Sequence, residues 1–381
     1  MKMAKAKYTF LDLAEINAPY MTEIEAAVSR VITSGRYIGG GECERLERGL
    51  QSMTGAEYAV GVSNGLDALR LILRAWVDRG DLKKGDEVIV AANTYIASVL
   101  AILDAGLRPV LAPVDMATLN LDTSRIEESI TSRTRGIMPV HLYGRVCWDA
   151  RLKAIVERYG LLVIEDNAQA IGSHSDTPGL YGTSVSGGLG HAGAFSFYPT
   201  KNLGALGDAG AVVTHDGDLA ARVRALSNYG SDRRYHNIYV GANCRLDPMQ
   251  AAVLNVKMPY VERENGRRRV IAGIYDRIIS NEAIAKPMLT GEDMVWHQYV
   301  VRCAERDRLQ EYLRDAGVAT DIHYAVPPHR QPCMARVDYR AVGDALEQAE
   351  AIGGSVLSLP ISSCTAEAEA EEIAAIINGF V

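Results

Sequence analysis

Short apolar segments alternate with longer amphipathic segments between about residues 58 and 214. The apolar segments have the length and composition of β-strands, whereas the segments between them have helical periodicity. This alternation is typical of βαβ units, in which helices cover a largely parallel sheet. Strands are predicted at residues 58–62, 87–90, 109–113, 136–140, 161–165, 193–196 and 211–214, and helices at 67–77, 96–104 and 148–159. The sequence therefore predicts an α/β fold whose large domain contains a mostly parallel, seven-stranded sheet flanked by helices.

The pattern changes after about Pro248. A helical pattern runs from residue 249 to 264 and continues towards 280, and a further helix is predicted at 307–316. A chain of 381 residues exceeds the usual size of one compact domain. We predict a large domain at 1–248 and a smaller C-terminal α+β domain at 249–381, hinged at the long helix.

Composition argues against several classes of protein. The chain has 47 acidic and 40 basic residues, so it lacks the positive surface expected of a nucleic-acid-binding protein. Its six cysteines contain no CxxC pair, which argues against a zinc cluster or a disulfide framework and favours reduced thiols. No apolar run reaches the length of a membrane span or of a signal peptide. We expect a soluble, cytoplasmic protein with no metal, nucleic-acid or membrane partner.

A candidate anion site follows the first predicted strand. Gly65 and Leu66 lie between Asn64 and Asp67, where the strand ends and a helix begins. A glycine at such a turn lets backbone N–H groups approach an anion, and the helix dipole favours negative charge there. The segment is consistent with phosphate binding, although Ser63 and Asp67 in helix-capping roles alone would explain the same residues.

A candidate carboxylate site follows the strand at 161–165. Asp166 and Gln169 are spaced i, i+3, which puts both on one side of the turn, where they could hold a planar heteroaromatic ring. A carboxylate that keeps a pyridine nitrogen protonated makes the ring an electron sink, as proteins do for pyridoxal phosphate. The alternatives are a magnesium ligand and a turn cap.

Lys201 lies in a glycine-rich loop within the segment FSFYPTKNLGALGDAGAVVT, five residues after Ser196. In a desolvated pocket a lysine amine loses its proton readily and can form a Schiff base with an aldehyde. Ser196 could bind the same phosphate as Gly65, and Tyr95 could stack on a bound ring. The alternatives are a solvated loop lysine and a core tyrosine. In parallel sheets ligands bind beyond the carboxyl ends of the strands, where Asp166 and Lys201 both fall.

Seven segments, in order, carry a resemblance to a known family: SNGLDAL, NTYIAS, EDNAQAIG, FSFYPTKNLGALGDAG, LSNYGSDRRYHN, GANCRLDPMQAAVL and DIHYAVPPH. They resemble the DegT/DnrJ/EryC1/StrS sugar aminotransferases, which depend on pyridoxal phosphate (PLP) and have the aspartate aminotransferase fold, type I. The resemblance extends from about residue 10 to residue 377. It implies that same fold for this chain.

The resemblance also implies roles for individual residues at the cofactor. Lys201 is the expected Schiff-base lysine, Asp166 the partner of the pyridine nitrogen, Gln169 a contact to the ring hydroxyl and Tyr95 the stacking aromatic residue. Gly65, Leu66 and Ser196 are the expected phosphate ligands. Many family members have threonine at the position of Leu66. Because leucine has no hydroxyl, only its backbone N–H can bind the phosphate in this chain.

Three further residues match positions of the family outside this set. Asn243 matches an asparagine that the neighbouring subunit donates to the phosphate, which implies a homodimer with shared active sites. Tyr229 and His323 match positions near the sugar nucleotide. Four other histidines, at positions 141, 174, 191 and 236, could contact substrate, although histidines in such loops more often have ordinary surface or turn roles.

The expected reaction is transfer of an amino group from L-glutamate, which leaves as 2-oxoglutarate, to a nucleotide-linked keto sugar. A subset of the family has histidine instead of the lysine and dehydrates its substrate, so Lys201 favours transamination. The segment YPTKNLGALGDAG is similar to members that aminate carbon 3, which points to a dTDP-3-keto-6-deoxyhexose. The alternatives are a dehydratase that uses the same cofactor and a non-catalytic regulator with the same fold.

Overall fold

A computed structural model describes residues 6–289 and 294–381 of the chain. The strands in these ranges are β1 (Tyr58–Val62), β2 (Glu87–Ala91), β3 (Arg108–Ala112), β4 (Thr134–Met138), β5 (Leu162–Asp166), β6 (Ala192–Ser196), β7 (Gly210–Thr214), β8 (Ser231–Arg233), β9 (His236–Asn237), β10 (Tyr299–Arg302), β11 (Arg340–Ala341) and β12 (Val356–Leu359). The α-helices are α1 (Leu13–Asn17), α2 (Met21–Ser34), α3 (Gly41–Thr54), α4 (Gly65–Arg79), α5 (Ile96–Asp104), α6 (Ala150–Tyr159), α7 (Gly217–Ser227), α8 (Pro248–Lys257), α9 (Val261–Ile278), α10 (Arg306–Asp315), α11 (Ala345–Ser355) and α12 (Glu367–Asn378).

An eight-stranded sheet in the order β1-β7-β6-β5-β4-β2-β3-β11 forms the centre of the described structure. Strand β7 is antiparallel to both of its neighbours, whereas the remaining pairs in the sheet are parallel. Apolar clusters cover both faces. On β7, Val212 packs in a cluster with Leu69 of α4, whereas Val213 packs in another with Leu46 of α3. The prediction of an α/β fold with a mostly parallel sheet is confirmed.

The sheet has one strand more than the sequence predicts, because β11 adds to the edge strand β3 in parallel. Buried Glu87 of β2 fastens this edge, since its carboxylate accepts hydrogen bonds from Arg340 at 3.1 and 3.2 Å and from Thr131 at 2.7 Å. Burial opposes the charge of Glu87, but these hydrogen bonds outweigh it and lower its pKa to about 2. A two-residue strand carries too little periodicity to be seen in sequence.

The predicted long helix after residue 248 is instead two helices. Helix α8 ends at Lys257, a 3₁₀ turn spans Met258–Tyr260, and α9 begins at Val261. Pro259 lies in the turn and has no N–H to donate to the preceding helical turn, so the α-helical hydrogen bonds are interrupted there. The pattern of apolar residues continues through the turn, which is why periodicity alone predicts one helix.

The C-terminal part of the chain contains the antiparallel pair β10 and β12. Helix α12 packs on α9, and the N-terminal segment reaches the same region, because Tyr8 N donates to the carbonyl of Gly317 at 3.0 Å. The helices and the strand pair agree with an α+β C-terminal region. The division of the chain at residue 248 stays a prediction, and β11 crosses it to join the large sheet.

Within residues 6–289 and 294–381, no helix is both long and apolar enough to cross a bilayer.

Candidate active site

A cavity of about 460 Å³ opens at the edge of the sheet where β1, β5 and β6 end. Because β7 runs against its neighbours, the loop from Ser196 to Gly210 leaves and re-enters the sheet at this edge, and Lys201 stays there. Eight of the residues predicted from the sequence line the cavity: Gly65, Leu66, Tyr95, Asp166, Gln169, Ser196, Lys201 and His323. The topology therefore brings together segments that are far apart in the chain.

The N-terminus of α4 forms one wall of the cavity. Asn64 caps the helix, since its Oδ1 accepts from Asp67 N at 2.8 Å, so neither Ser63 nor Asp67 is the cap. The N–H groups of Gly65 and Leu66 have no intrahelical acceptor at this position. A Cβ at Gly65 would lie 2.6 Å from Ser196 Cβ, so only glycine lets the two chain segments approach this closely. Two backbone N–H groups and the Ser196 hydroxyl are thus available to an anion.

Asp166 ends β5 with its carboxylate buried against α5. Its Oδ2 accepts from Ser98 Oγ at 2.8 Å, and its Oδ1 accepts from Ala168 N at 3.2 Å. The hydroxyl of Thr94 lies 2.9 Å from Ser98 Oγ. Sequence reasoning missed Ser98 and Thr94, although both lie in the segment NTYIAS beside Tyr95. The carboxylate is held in one orientation by groups on two elements.

Gln169 and two tyrosines form the side of the cavity next to Asp166. Gln169 Oε1 accepts from Tyr143 N at 2.6 Å, and its Nε2 donates to the Tyr324 hydroxyl at 3.0 Å. Burial raises the pKa of Tyr324, so this phenol keeps its proton at neutral pH. The ring of Tyr95 lies 5.0 Å from that of Tyr324. Tyr95 is 51% exposed, so it is not a core residue.

Lys201 projects into the cavity and is not a solvated loop lysine. Burial lowers the pKa of its amine to about 8, and the negative charge of Asp166 opposes this shift only partly. A substantial fraction of the amine is therefore neutral near physiological pH. Next to Lys201, buried Asn202 contacts the imidazole of His297, which lines the same cavity. Sequence reasoning missed both, and no motif in the sequence marks His297.

Two predicted residues lie outside this cavity. Tyr229 and Asn243 belong to the segment that carries β8 and β9, where Tyr229 N donates to the carbonyl of Ala242 at 2.8 Å. Asn243 forms an isolated β-bridge with Asn228. A role for Asn243 at a phosphate would therefore require a second chain, as the resemblance implies.

None of the four other candidate histidines is among the described residues that line the cavity. His141 is fully buried and contacts Glu165 at 2.8 Å, so it supports the end of β5 rather than a substrate. Glu165 also accepts from the N–H groups of Gly187 and Gly190 at 2.7 Å each. His191 accepts from Val163 N, and exposed His236 pairs with Asp232.

The residues of the cavity fit PLP. The N–H groups at the start of α4 and the hydroxyl of Ser196 suit a phosphate, the buried carboxylate of Asp166 suits a protonated ring nitrogen, and Lys201 supplies the amine. In the described part of the chain, no group of three or more His, Cys, Asp or Glu side chains is arranged to hold a metal ion. This donor set explains Asp166 without the alternative of a magnesium ligand.

Comparison with known proteins agrees with this geometry. A profile of the DegT/DnrJ/EryC1/StrS aminotransferase family matches residues 20–378. The chain is 46% identical over 372 residues to a dTDP-3-amino-3,6-dideoxy-alpha-D-galactopyranose transaminase of Aneurinibacillus thermoaerophilus, with 97% of this chain and 99% of the relative covered.

Two solved structures have the same fold over nearly the whole chain. A crystal structure of S. venezuelae DesV in complex with a ketimine intermediate has a TM-score of 0.90 and 39% identity, and covers 98% of each chain. A structure of NtdA from Bacillus subtilis with bound cofactor PMP, the pyridoxamine form, has a TM-score of 0.85 and 30% identity, covering 99% of this chain and 86% of that chain. This chain therefore belongs to the DegT/DnrJ/EryC1/StrS aminotransferase family and is a PLP-dependent aminotransferase of fold type I.

Proposed function

We propose that this enzyme transfers the amino group of L-glutamate to carbon 3 of a dTDP-linked 3-keto-6-deoxyhexose. The observation that carries the proposal is the meeting of Lys201 and Asp166 in one cavity with the N-terminus of α4. The substrate class rests on the 46% identity to a dTDP-3-amino sugar transaminase over nearly the full length of both chains. The segment YPTKNLGALGDAG supports carbon 3 rather than carbon 4.

In this proposal the cofactor is bound by groups that already face the cavity. The N–H groups of Gly65 and Leu66 and the hydroxyl of Ser196 bind the phosphate, and the positive end of the α4 dipole adds to the attraction. Leu66 offers no side-chain hydroxyl. Tyr95 would stack on the ring, and Gln169 would contact the ring hydroxyl.

Bound PLP supplies an aldehyde that links to amines and a ring that accepts electrons as a proton leaves carbon. The neutral Nζ of Lys201 would take the proton from the α-carbon of glutamate and deliver it to the aldehyde carbon of bound PLP, so that hydrolysis would leave the amino group on the cofactor and free 2-oxoglutarate. Asp166 would hold a proton on the ring nitrogen, and its carboxylate is oriented for this because Ser98 and Ala168 donate to it. Tyr229 and His323 are proposed to contact the sugar nucleotide.

We also propose that two chains form a homodimer with shared active sites. The segment from Tyr229 to Asn243 supports this, because it projects from the chain with Tyr235 87% exposed and Val240 82% exposed. Large apolar side chains this exposed are typical of interaction surfaces. The dimer would bring Asn243 of one chain to the phosphate bound by the other.

We place the enzyme in the cytoplasm. All six cysteines are free, and Cys43, Cys147, Cys244 and Cys303 are buried. Free thiols in this number are usual in a reducing compartment and unusual in secreted proteins.

The test is incubation of the cofactor-loaded enzyme with L-glutamate and a panel of dTDP- and UDP-linked 3-keto and 4-keto sugars. Mass and NMR analysis of the product should show a 3-amino sugar and one 2-oxoglutarate per amine formed, with the dTDP-linked 3-keto substrate preferred. A product aminated only at carbon 4 would contradict the proposed position. A deoxy sugar formed without 2-oxoglutarate would identify the dehydratase instead.

A further inference from the structure

A chain of buried amides leads from the core to the cavity beside Lys201. Asn265 Nδ2 donates to the carbonyl of Ile171 at 3.0 Å, and its Oδ1 accepts from Asn202 Nδ2 at 2.9 Å. Asn202 Nδ2 also donates to the carbonyl of Val295 at 2.9 Å. Because a backbone carbonyl can only accept, these contacts fix the orientation of both amide groups.

The orientation of Asn202 determines which nitrogen of His297 carries the proton. Asn202 Oδ1 lies 3.1 Å from His297 Nδ1, and an amide oxygen can only accept. The imidazole must therefore be protonated at Nδ1. In a neutral imidazole this leaves Nε2 with a free lone pair.

The surroundings keep this imidazole neutral. Burial lowers the pKa of His297 well below its ordinary value, and the charges of Lys201 and Arg268 and the neighbouring His323 lower it further. Arg268 donates to the carbonyls of Trp296, His297 and Ile361. Within the described ranges no carboxylate hydrogen-bonds to the ring, so nothing there favours the imidazolium.

The free lone pair opens to the cavity that Lys201 also lines. His297 is 5% exposed and lines the cavity together with Lys201. Its Nδ1 is committed to Asn202. Among the described residues, some buried polar atoms lack a hydrogen-bond partner and are closed off from solvent, but His297 Nε2 is not one of them. Nε2 is thus the ring nitrogen that opens to the cavity.

We propose that His297 is a positioning residue for Lys201, whose Nζ–H donates to the lone pair of His297 Nε2. This contact aims the amine and stabilises its protonated form against the desolvation of the cavity. The chain of buried amides from Asn265 to Asn202 keeps the proton on His297 Nδ1, so that Nε2 remains an acceptor. The inference deepens the proposed function, because it takes Lys201 as the reacting amine.

The first test reads the pH dependence of Lys201 rather than turnover. The cofactor-free, full-length protein is acetylated over a range of pH, and mass spectrometry follows modification at Lys201 with exposed Lys83 as internal reference. In His297→Leu the protonated amine loses its acceptor. The pH midpoint of acetylation at Lys201 should therefore be lower than in the protein without the substitution. A fall of one pH unit makes acetylation at pH 7 about fivefold faster, because the rate follows the neutral fraction.

Two variants control this measurement. His297→Gln keeps an oxygen acceptor facing the cavity and should return the midpoint towards its original value. His191→Gln changes a half-buried histidine that lies outside the cavity and should leave the midpoint unchanged. If folded His297→Leu had the same acetylation midpoint at Lys201 as the protein without the substitution, the inference would be overturned.

The second test needs no variant in the measured sample. In full-length protein labelled with ¹⁵N-histidine, the resonances of His297 should show a neutral ring protonated at Nδ1. A ring protonated at Nε2, or at both nitrogens, would refute the assignment. Failure of the proposed function would appear differently, as absence of a 3-amino sugar with the unmodified holoenzyme.

Discussion

Ser98 Oγ donates a 2.8 Å hydrogen bond to Asp166 Oδ2 and so ties the first turn of α5 to the end of β5. A hydrogen bond to a charged group contributes about 1.5–3 kcal/mol. In Ser98→Ala the carboxylate loses this donor and its fixed orientation, so we expect weaker PLP binding by roughly tenfold or more. Titration of the apo-enzyme with PLP, followed by absorbance, measures the change. Ser355→Ala, which removes a serine bonded to its own helix, serves as the control and should bind PLP normally.

Lys201 should give the loading reaction a pH dependence with a known sign. Only the neutral amine attacks an aldehyde, and the pKa of Lys201 is about 8. The rate at which apo-enzyme forms the Schiff base with PLP should therefore rise with pH and level off above about 8. The absorbance change seen with Lys201→Ala, which lacks the amine, is subtracted as background. Stopped-flow absorbance measures this rate. A midpoint near 10.5, the ordinary value for lysine, would contradict the burial of the amine.

Lys201→Ala removes the amine that we propose reacts with the PLP aldehyde, so this variant should not form the Schiff base at any pH. Its turnover should fall by at least about 10²-fold, the lower range for loss of a general acid–base group. Retention of full turnover of glutamate and sugar by this variant would refute the role proposed for Lys201.

Leu66 should limit the affinity for the cofactor phosphate, because its side chain cannot donate a hydrogen bond. Leu66→Thr adds a hydroxyl beside the N–H groups of α4, and a neutral hydrogen bond contributes about 1 kcal/mol. We expect PLP and PMP to bind up to about fivefold more tightly, measured by equilibrium dialysis. Leu66→Val, which has a similar shape without the hydroxyl, is the matched control and should show no gain.

Gly65→Ala also changes the N-terminus of α4, but it should weaken cofactor binding rather than strengthen it. The added Cβ would lie 2.6 Å from Ser196 Cβ, so the start of α4 and the end of β6 must separate. We expect a clear loss of PLP affinity with a small change in stability, because the displacement falls on the phosphate donors. Unchanged affinity would show that this close approach is not needed for binding.

Glu87 should stabilise the sheet edge in a pH-dependent way. Its folded-state pKa of about 2 lies below the ordinary value of 4.5, so its stabilisation is present above about pH 4.5 and is lost as pH falls towards 2. Glu87→Gln leaves Arg340 and Arg108 without their buried partner and should lower the free energy of unfolding at pH 7 by about 3–5 kcal/mol. Urea denaturation at pH 7 and pH 3 measures both effects, and the difference between the two proteins should shrink at the lower pH. Glu350→Gln, in an exposed pair with Arg330, should cause no comparable loss.

The proposed shared active site predicts complementation between two inactive variants. Lys201→Ala and Asn243→Ala would each damage both sites of a homodimer, but a mixed dimer would combine both defects in one site and leave the other intact. Random exchange of subunits should restore activity to about a quarter of the sites. The mixture is assayed for 2-oxoglutarate after dissociation and reassociation. Activity that stays at the level of the separate variants would place Asn243 and Lys201 of one chain in the same site.

The strands of the large sheet could be predicted because each is a short apolar segment bounded by polar turns. The meeting of Lys201, Asp166 and Gly65 at one cavity could be predicted because ligands bind beyond the carboxyl ends of such strands. By contrast, β11 has two residues and Pro259 interrupts a helix whose apolar pattern continues, so local periodicity is a poor guide to either. His297 gave no signal, because its importance depends on Asn202 and on a cavity formed by distant segments.

The amino-acid sequence alone therefore determined the fold class and the cofactor and predicted residues that line the cavity, since these follow from local patterns and from side-chain type. Only the tertiary structure decided that Ser98 orients Asp166, that Glu87 holds an eighth strand on the sheet and that Asn202 fixes the imidazole of His297 at the cavity. Hydrogen-bond direction and desolvation depend on which groups meet in space. Residues about a hundred positions apart, such as Asn202 and His297, meet only when the chain has folded.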